Sequence, residues 1–124
     1  MRKIFFRGKR KDTGDWVYED LKHLDNGNIH IFGNRYSQPV EEKTIGQFTG
    51  LYDKFGTAIY EGDIVEYRTK KYVVKFQNGM FYASVHEFQP ETFEGFPLHA
   101  LTTNAETGEE CEVIGIIHDN PIEE

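Results

Sequence analysis

Short runs rich in Val, Ile, Phe and Tyr recur along the chain between clusters of Gly, Asn and Asp, and helical spacing of apolar residues is nowhere sustained. This pattern predicts many short strands joined by turns. Residues 3–10 and 15–23 flank Lys11-Asp12-Thr13-Gly14, whose glycine can take the positive φ that closes a hairpin. A second turn, Asp25-Asn26-Gly27-Asn28, leads into Ile29-His30-Ile31-Phe32, and the first third of the chain reads as a β meander.

The clearest local signal is Asn78-Gly79, between KYVVKFQ and MFYASV. A two-residue type I′ turn there sets Gln77 opposite Met80, Phe76 opposite Phe81, Val74 opposite Ala83 and Tyr72 opposite Val85. Tyr72, Val74, Phe76, Phe81, Ala83 and Val85 then share an apolar face, while Lys75, Gln77 and Ser84 lie with Val73, Met80 and Tyr82 on a mixed one. Upstream, Ile64 to Arg68 reads as a strand ended by Thr69-Lys70-Lys71. Downstream, Phe88 to Pro97 has the composition of a loop, and Leu98 to Leu101 that of a short strand or turn. A final strand, Cys111 to His118, stops before Pro121, which lacks the N–H to continue it. About five strands between residues 50 and 118 suit a small β-barrel. The expected division is a meander over residues 1–48 and a barrel over 49–124.

One stretch raises a chemical question. In YEGDIV, Glu61 and Asp63 are separated only by Gly62, the spacing of a possible acid/base pair. Such a pair needs a cavity and a partner that separate the two pKa values, and the sequence shows neither. The simpler reading is a turn, with Gly62 supplying an unusual φ and Asp63 bonding backbone N–H groups at a solvated strand entrance.

The chain has 124 residues, a length that fits one ordinary domain or two very small modules. Its net charge of −7 opposes broad binding to polyphosphates. Ten phenylalanines, seven tyrosines and one tryptophan are many for this hydrophobic content, and they suit a small β core or a contact surface. A single cysteine, Cys111, fits a reducing compartment and rules out an intrachain disulfide. The apolar run of MRKIFFRGKRK is too short for a signal peptide, and no segment has the length of a membrane span. A soluble cytoplasmic protein is the expectation.

Arg2, Lys3, Arg7, Lys9, Arg10 and Lys11 interleave with Phe5 and Phe6, as a nucleic-acid-binding arm can, although an ordinary half-buried strand explains the pattern more simply. The acidic stretches Glu91 to Glu94 and Glu106 to Glu112 could mimic DNA phosphates, and solvated loops explain them more simply too. His23, His30, His86, His99 and His118 form no metal-binding spacing. Cys111 carries no catalytic signature, and no nucleotide-binding or hydrolase motif occurs. No catalytic residue, cofactor or metal is therefore expected.

Thr44 to Tyr67 (TIGQFTGLYDKFGTAIYEGDIVEY), Val73 to Tyr82 (VVKFQNGMFY) and Glu112 to Pro121 (EVIGIIHDNP), with the opening MRKIFFRG, resemble the YopX family of phage and prophage proteins. The resemblance implies an SH3-like β-barrel in the C-terminal part and the cytoplasm of a bacterial host, with no catalytic residues to transfer. The combined expectation is a mainly β, non-enzymatic interaction protein that forms homo-oligomers and meets host or phage proteins. The alternative is nucleic-acid binding through the basic N-terminal strand and the aromatic barrel face. The turn reading of YEGDIV predicts that Gly62→Val costs more stability than Asp63→Asn, and Glu61→Gln little, as measured by chemical denaturation.

Overall fold

Residues 5–23, 29–33, 36–84, 95–102 and 110–119 are described by the computed structural model, and among them the apolar runs form strands while the Gly- and Asn-bearing segments form turns. The chain is mainly β. It packs as two units, Met1–Phe48 and Thr49–Glu124.

In the first unit, β1 (Phe6–Lys9), β2 (Trp16–His23), β3 (Ile29–Gly33) and β4 (Tyr36–Pro39) form an antiparallel meander in the order β4-β3-β2-β1. The first residues of β5 (Gly46–Tyr52) pair with the free side of β1, Arg7 opposite Gly46 and Phe6 opposite Gln47. The β1–β2 turn is closed by Arg10 N–H donating to Asp15 O at 2.8 Å and Gly14 N–H to Arg10 O at 2.9 Å. The Asp25 to Asn28 turn lies outside the described residues. Buried Ile31 and Val40 pack with Phe6, Val17 and Ile45. Gly8 passes so close that a Cβ there would lie 3.0 Å from Val40 Cβ and 3.3 Å from Ile31 Cδ1, so a side chain would have to push these neighbours back by a few tenths of an ångström. Thr44, at the end of a single 3-10 turn (Glu42–Thr44), accepts Lys9 N–H at 2.9 Å and donates to Glu41 O at 2.6 Å, tying that turn to β1.

The second unit contains the rest of β5, then β6 (Ala58–Tyr60), β7 (Asp63–Tyr67), β8 (Lys70–Gln77), β9 (Met80–Ser84), β10 (Gly95–Pro97), a short helix α1 (Leu98–Thr102) and β11 (Glu112–Ile116). The last five strands form an antiparallel sheet in the order β10-β9-β8-β7-β11, and the curled strands make a half-barrel. One face carries Val65, Tyr72, Val74 and Ala83 into a core completed by Ile59, Leu98, Leu101 and Cys111. The other carries Ile64 and Val73, which pack on Ile117.

The β8–β9 hairpin turns at Asn78 (φ 52°) and Gly79 (φ 78°), with Gln77 opposite Met80, Phe76 opposite Phe81 and Val74 opposite Ala83. Val85 lies outside the described residues. Both faces of this hairpin are partly buried, since Val73 and Ser84 on the mixed face are as enclosed as Tyr72 and Val74. Phe76, on the apolar face, is half exposed, because the hairpin tip extends beyond what covers its centre.

Three local expectations are corrected. The β7–β8 turn is Arg68-Thr69, with Tyr67 opposite Lys70, so Lys70 and Lys71 already belong to β8. Within the stretch read as a loop, Gly95–Pro97 is a strand; it sits at the sheet edge, where proline's missing N–H costs no ladder bond. Leu98 to Leu101 is helical because Leu98 and Leu101, three apart, turn the same way into the core while His99 and Ala100 face water. Six described strands follow β5, one more than the sequence pattern counts.

Arg68 and Thr69 take φ values of 50° and 67°, a left-handed pair where Asn and Gly are the unstrained choice. A β-branched residue held there costs about 1 kcal/mol or more. Thr69→Gly is therefore expected to stabilise the protein by about 0.5–1 kcal/mol, seen as a higher urea midpoint at unchanged slope.

Candidate functional site: an aromatic cleft in the second unit

The YEGDIV stretch is a buried junction between strands. Gly62 has φ +94°, donates its N–H to Val74 O at 2.8 Å and accepts Ile117 N–H at 2.8 Å, so one residue joins β8 to the exit of β11. Asp63 accepts Tyr60 N–H at 2.8 Å. Its carboxylate is 1% exposed, which corrects the expectation of a solvated strand entrance: Asp63 starts β7 opposite Ile116 and is covered by the strand that closes the sheet. Glu61 is half-buried.

A second buried carboxylate, absent from the sequence reading, lies at Asp53. Its Oδ1 accepts the N–H groups of Phe55 (2.9 Å) and Thr57 (2.8 Å), and its Oδ2 accepts that of Val113 (2.9 Å). Lys54 N–H donates to Cys111 O at 3.0 Å, so the 53–57 turn bonds the outer edge of β11 where a further strand would otherwise pair. Burial raises the Asp53 pKa, but the three backbone N–H groups outweigh it and hold the carboxyl below its ordinary 3.8. Burial, helped by the charge of Asp53, pushes the Cys111 thiol up to about 11, which keeps it protonated and unreactive at neutral pH.

Of the basic N-terminal residues, Arg7, Lys9, Arg10 and Lys11 are described. Arg2 and Lys3 lie outside the described residues. Arg7 is buried against Trp16, 4.9 Å from the ring centroid, and Lys9 lies 5.6 Å from the same ring. Arg10 is turned onto Asp12 by bonds of 2.9 and 2.7 Å, which lower the Asp12 pKa, and Lys11 is exposed beside them. In the β2–β3 pairing, His23 stands opposite Ile29 and His30 opposite Lys22. His99 and His118 are exposed, and His86 lies outside the described residues. Among the described residues, no three His, Cys, Asp or Glu side chains come together as a metal site would require.

The second unit does contain a cleft. α1 is five residues, about 7 Å long, whereas β8 is eight residues, about 26 Å, so the helix is too short to cover the length of the sheet's core face. At the β7–β8 turn this leaves an opening of about 370 Å³ walled by Tyr67, Tyr72 and Phe96. Ala100 and Leu101 of α1 line its inner side, and Arg68 and Lys70 stand at its rim. Phe96 meets Tyr72 edge-on at 6.0 Å and 73° while remaining 50% exposed. Arg68 lies over Tyr67 at 5.4 Å. The sequence hides this cleft because Phe96 joins the wall only through the pairing of β10 with β9, across residues whose composition gives no strand signal.

The family model described as YopX protein matches residues 5–123. Among solved structures, the chain is similar to protein EF1440 from Enterococcus faecalis, with 24% identity over 98% of this chain and 97% of that one and a TM-score of 0.57. That likeness supports the fold. No curated protein matches the chain.

Asp53→Asn replaces one acceptor oxygen with a donor amide facing backbone N–H groups, at an expected cost of about 1–3 kcal/mol at neutral pH. Because the Asp53 pKa is lowered on folding, its contribution is present above the ordinary carboxyl value of 3.8 and lost as pH falls through the lower folded value. Denaturation across the acid range should therefore show a shallower acid loss in Asp53→Asn than in the parent. Burial likewise puts the expected cost of Asp63→Asn in the same range of about 1–3 kcal/mol.

Proposed function

The chain belongs to the YopX family, and from that premise we propose that it is a non-enzymatic, self-associating interaction protein, encoded by a phage or prophage and working with host or phage proteins in the bacterial cytoplasm. The family resemblance supports the phage or prophage origin and transfers no catalytic residue. Among the described residues, no helix is long and apolar enough to cross a membrane.

The observation that carries self-association is the tip of the β8–β9 hairpin. Phe76 is 49% exposed and packs on Phe81 at 4.9 Å, and Met80 beside the turn is 43% exposed. From Phe76 to Phe81 the chain reads FQNGMF, without a charge. Two molecules that each carry −7 repel one another at long range, and a neutral apolar contact is the kind of surface on which they can still meet.

Light scattering at increasing concentration tests this reading. The parent is expected to rise above the monomer mass, and the double variant Phe76→Ser with Met80→Ser to remain monomeric with an unchanged circular dichroism spectrum. A parent that stays monomeric throughout overturns self-association.

A further inference from the structure

We propose that the cleft at the β7–β8 turn is a recognition site for a short acidic peptide segment, taking an aromatic or aliphatic side chain between Tyr67, Tyr72 and Phe96 and a neighbouring carboxylate at Arg68 and Lys70. The site lies at the opposite end of β8 from the apolar tip, so it is distinct from the self-associating surface.

Three observations carry the assignment. The first is charge: the chain has twenty-one Asp and Glu against fourteen Lys and Arg, yet among the described residues the charged side chains lining this cleft are two cations, Arg68 and Lys70. At physiological salt the screening length is about 8 Å, so a ligand at the rim responds to Arg68 and Lys70 more than to the net −7 of the chain. The second is the wall. Phe96 is fixed by its edge contact with Tyr72 and open on its other side, which gives an entering side chain a rigid ring to pack against at little ordering cost. The volume of about 370 Å³ sits at the low end of the range for ligand pockets and suits one or two side chains.

The third is backbone strain. Arg68 and Thr69 occupy the left-handed region in the turn that presents the cationic rim, and a strained non-glycine pair at such a place points to a task other than stability.

The same chemistry, cations beside rings, also binds single-stranded nucleic acid, but a polynucleotide needs a positive track along its backbone. Here the next cation along β8, Lys71, stands opposite Glu66, which offsets it. A single cationic point beside an apolar wall fits a short acidic peptide better than a chain of phosphates.

The test is selection from a displayed random-peptide library on the immobilised protein, followed by titration of the enriched peptides. Enriched sequences are expected to place Asp or Glu beside an aromatic or aliphatic residue. Their binding should weaken about tenfold in the double variant Arg68→Asn with Lys70→Gln, in which asparagine suits the left-handed turn and preserves the fold, and again in Phe96→Ala. It should be unchanged in Phe76→Ser with Met80→Ser, so failure here and failure of self-association are separable. The proposal is overturned by enrichment without acidic residues, by binding indifferent to the cleft variants, by displacement of the peptide by oligothymidylate at physiological salt, or by cleft variants that alter only the oligomeric state.

Discussion

β11 is the strand on which the second unit closes, and it is held at both ends by residues far upstream in the chain. At its start, the Asp53 carboxylate accepts the N–H of Val113, sixty positions away. At its end, Gly62 accepts the N–H of Ile117 while Asp63 stands opposite Ile116. Between these two anchors the ladder to β7 shifts register between Val113 and Gly115, and Ile114 is left exposed at the irregularity. A strand interrupted by a bulge supplies fewer continuous ladder bonds, which makes the end anchors matter more.

The first anchor uses a carboxylate in a place where charge is costly, and the second uses the backbone carbonyl of Gly62. The cost is offset because backbone N–H groups are fixed donors already in position, and because leaving them unbonded at the end of a strand would itself be unfavourable. Asp53 does this for three N–H groups at once. In doing so it also occupies a strand edge that would otherwise be a template for unregulated pairing. The same residue thus contributes to closure and restricts the addition of another chain at the β11 edge.

What the sequence makes legible is the part written in neighbouring residues. Asn78-Gly79 specifies its hairpin because the left-handed turn and the alternation of Tyr72, Val74 and Phe76 agree. The preceding hairpin is harder to place: Arg68-Thr69 carries no turn signature, and the Lys70-Lys71 pair resembles a loop although both residues are in β8. Asp53-Lys54-Phe55-Gly56-Thr57 has the look of an aspartate-led turn, which a closer reading could have found, but its bond to Val113 depends on the folded topology alone. Asp63 illustrates the reverse error. Its local role as an acceptor is readable from the turn, whereas its burial comes from β11, and nothing near residue 63 announces that cover. α1 is missed because five residues are too few for a periodic signal, even though Leu98 and Leu101 carry the right spacing.

The two surfaces proposed for recognition share one origin. The core face of the β7–β8–β9 sheet is longer than the helix laid across it, so apolar side chains that alternation aims inward run out of cover at each end. At the tip, the overhang leaves Phe76 on Phe81 in a stretch, 76–81, that carries no charge. At the turn, half-buried Tyr67 and exposed Phe96 of the edge strand line an opening beside buried Tyr72, bordered by two cations. Rings placed on rigid strands also lose little freedom when they are contacted, which favours recognition over a comparable patch on a loop. The high aromatic content of a chain with modest hydrophobicity therefore has a structural reason: the same alternating strands that supply the core also supply the exposed rings beyond its ends.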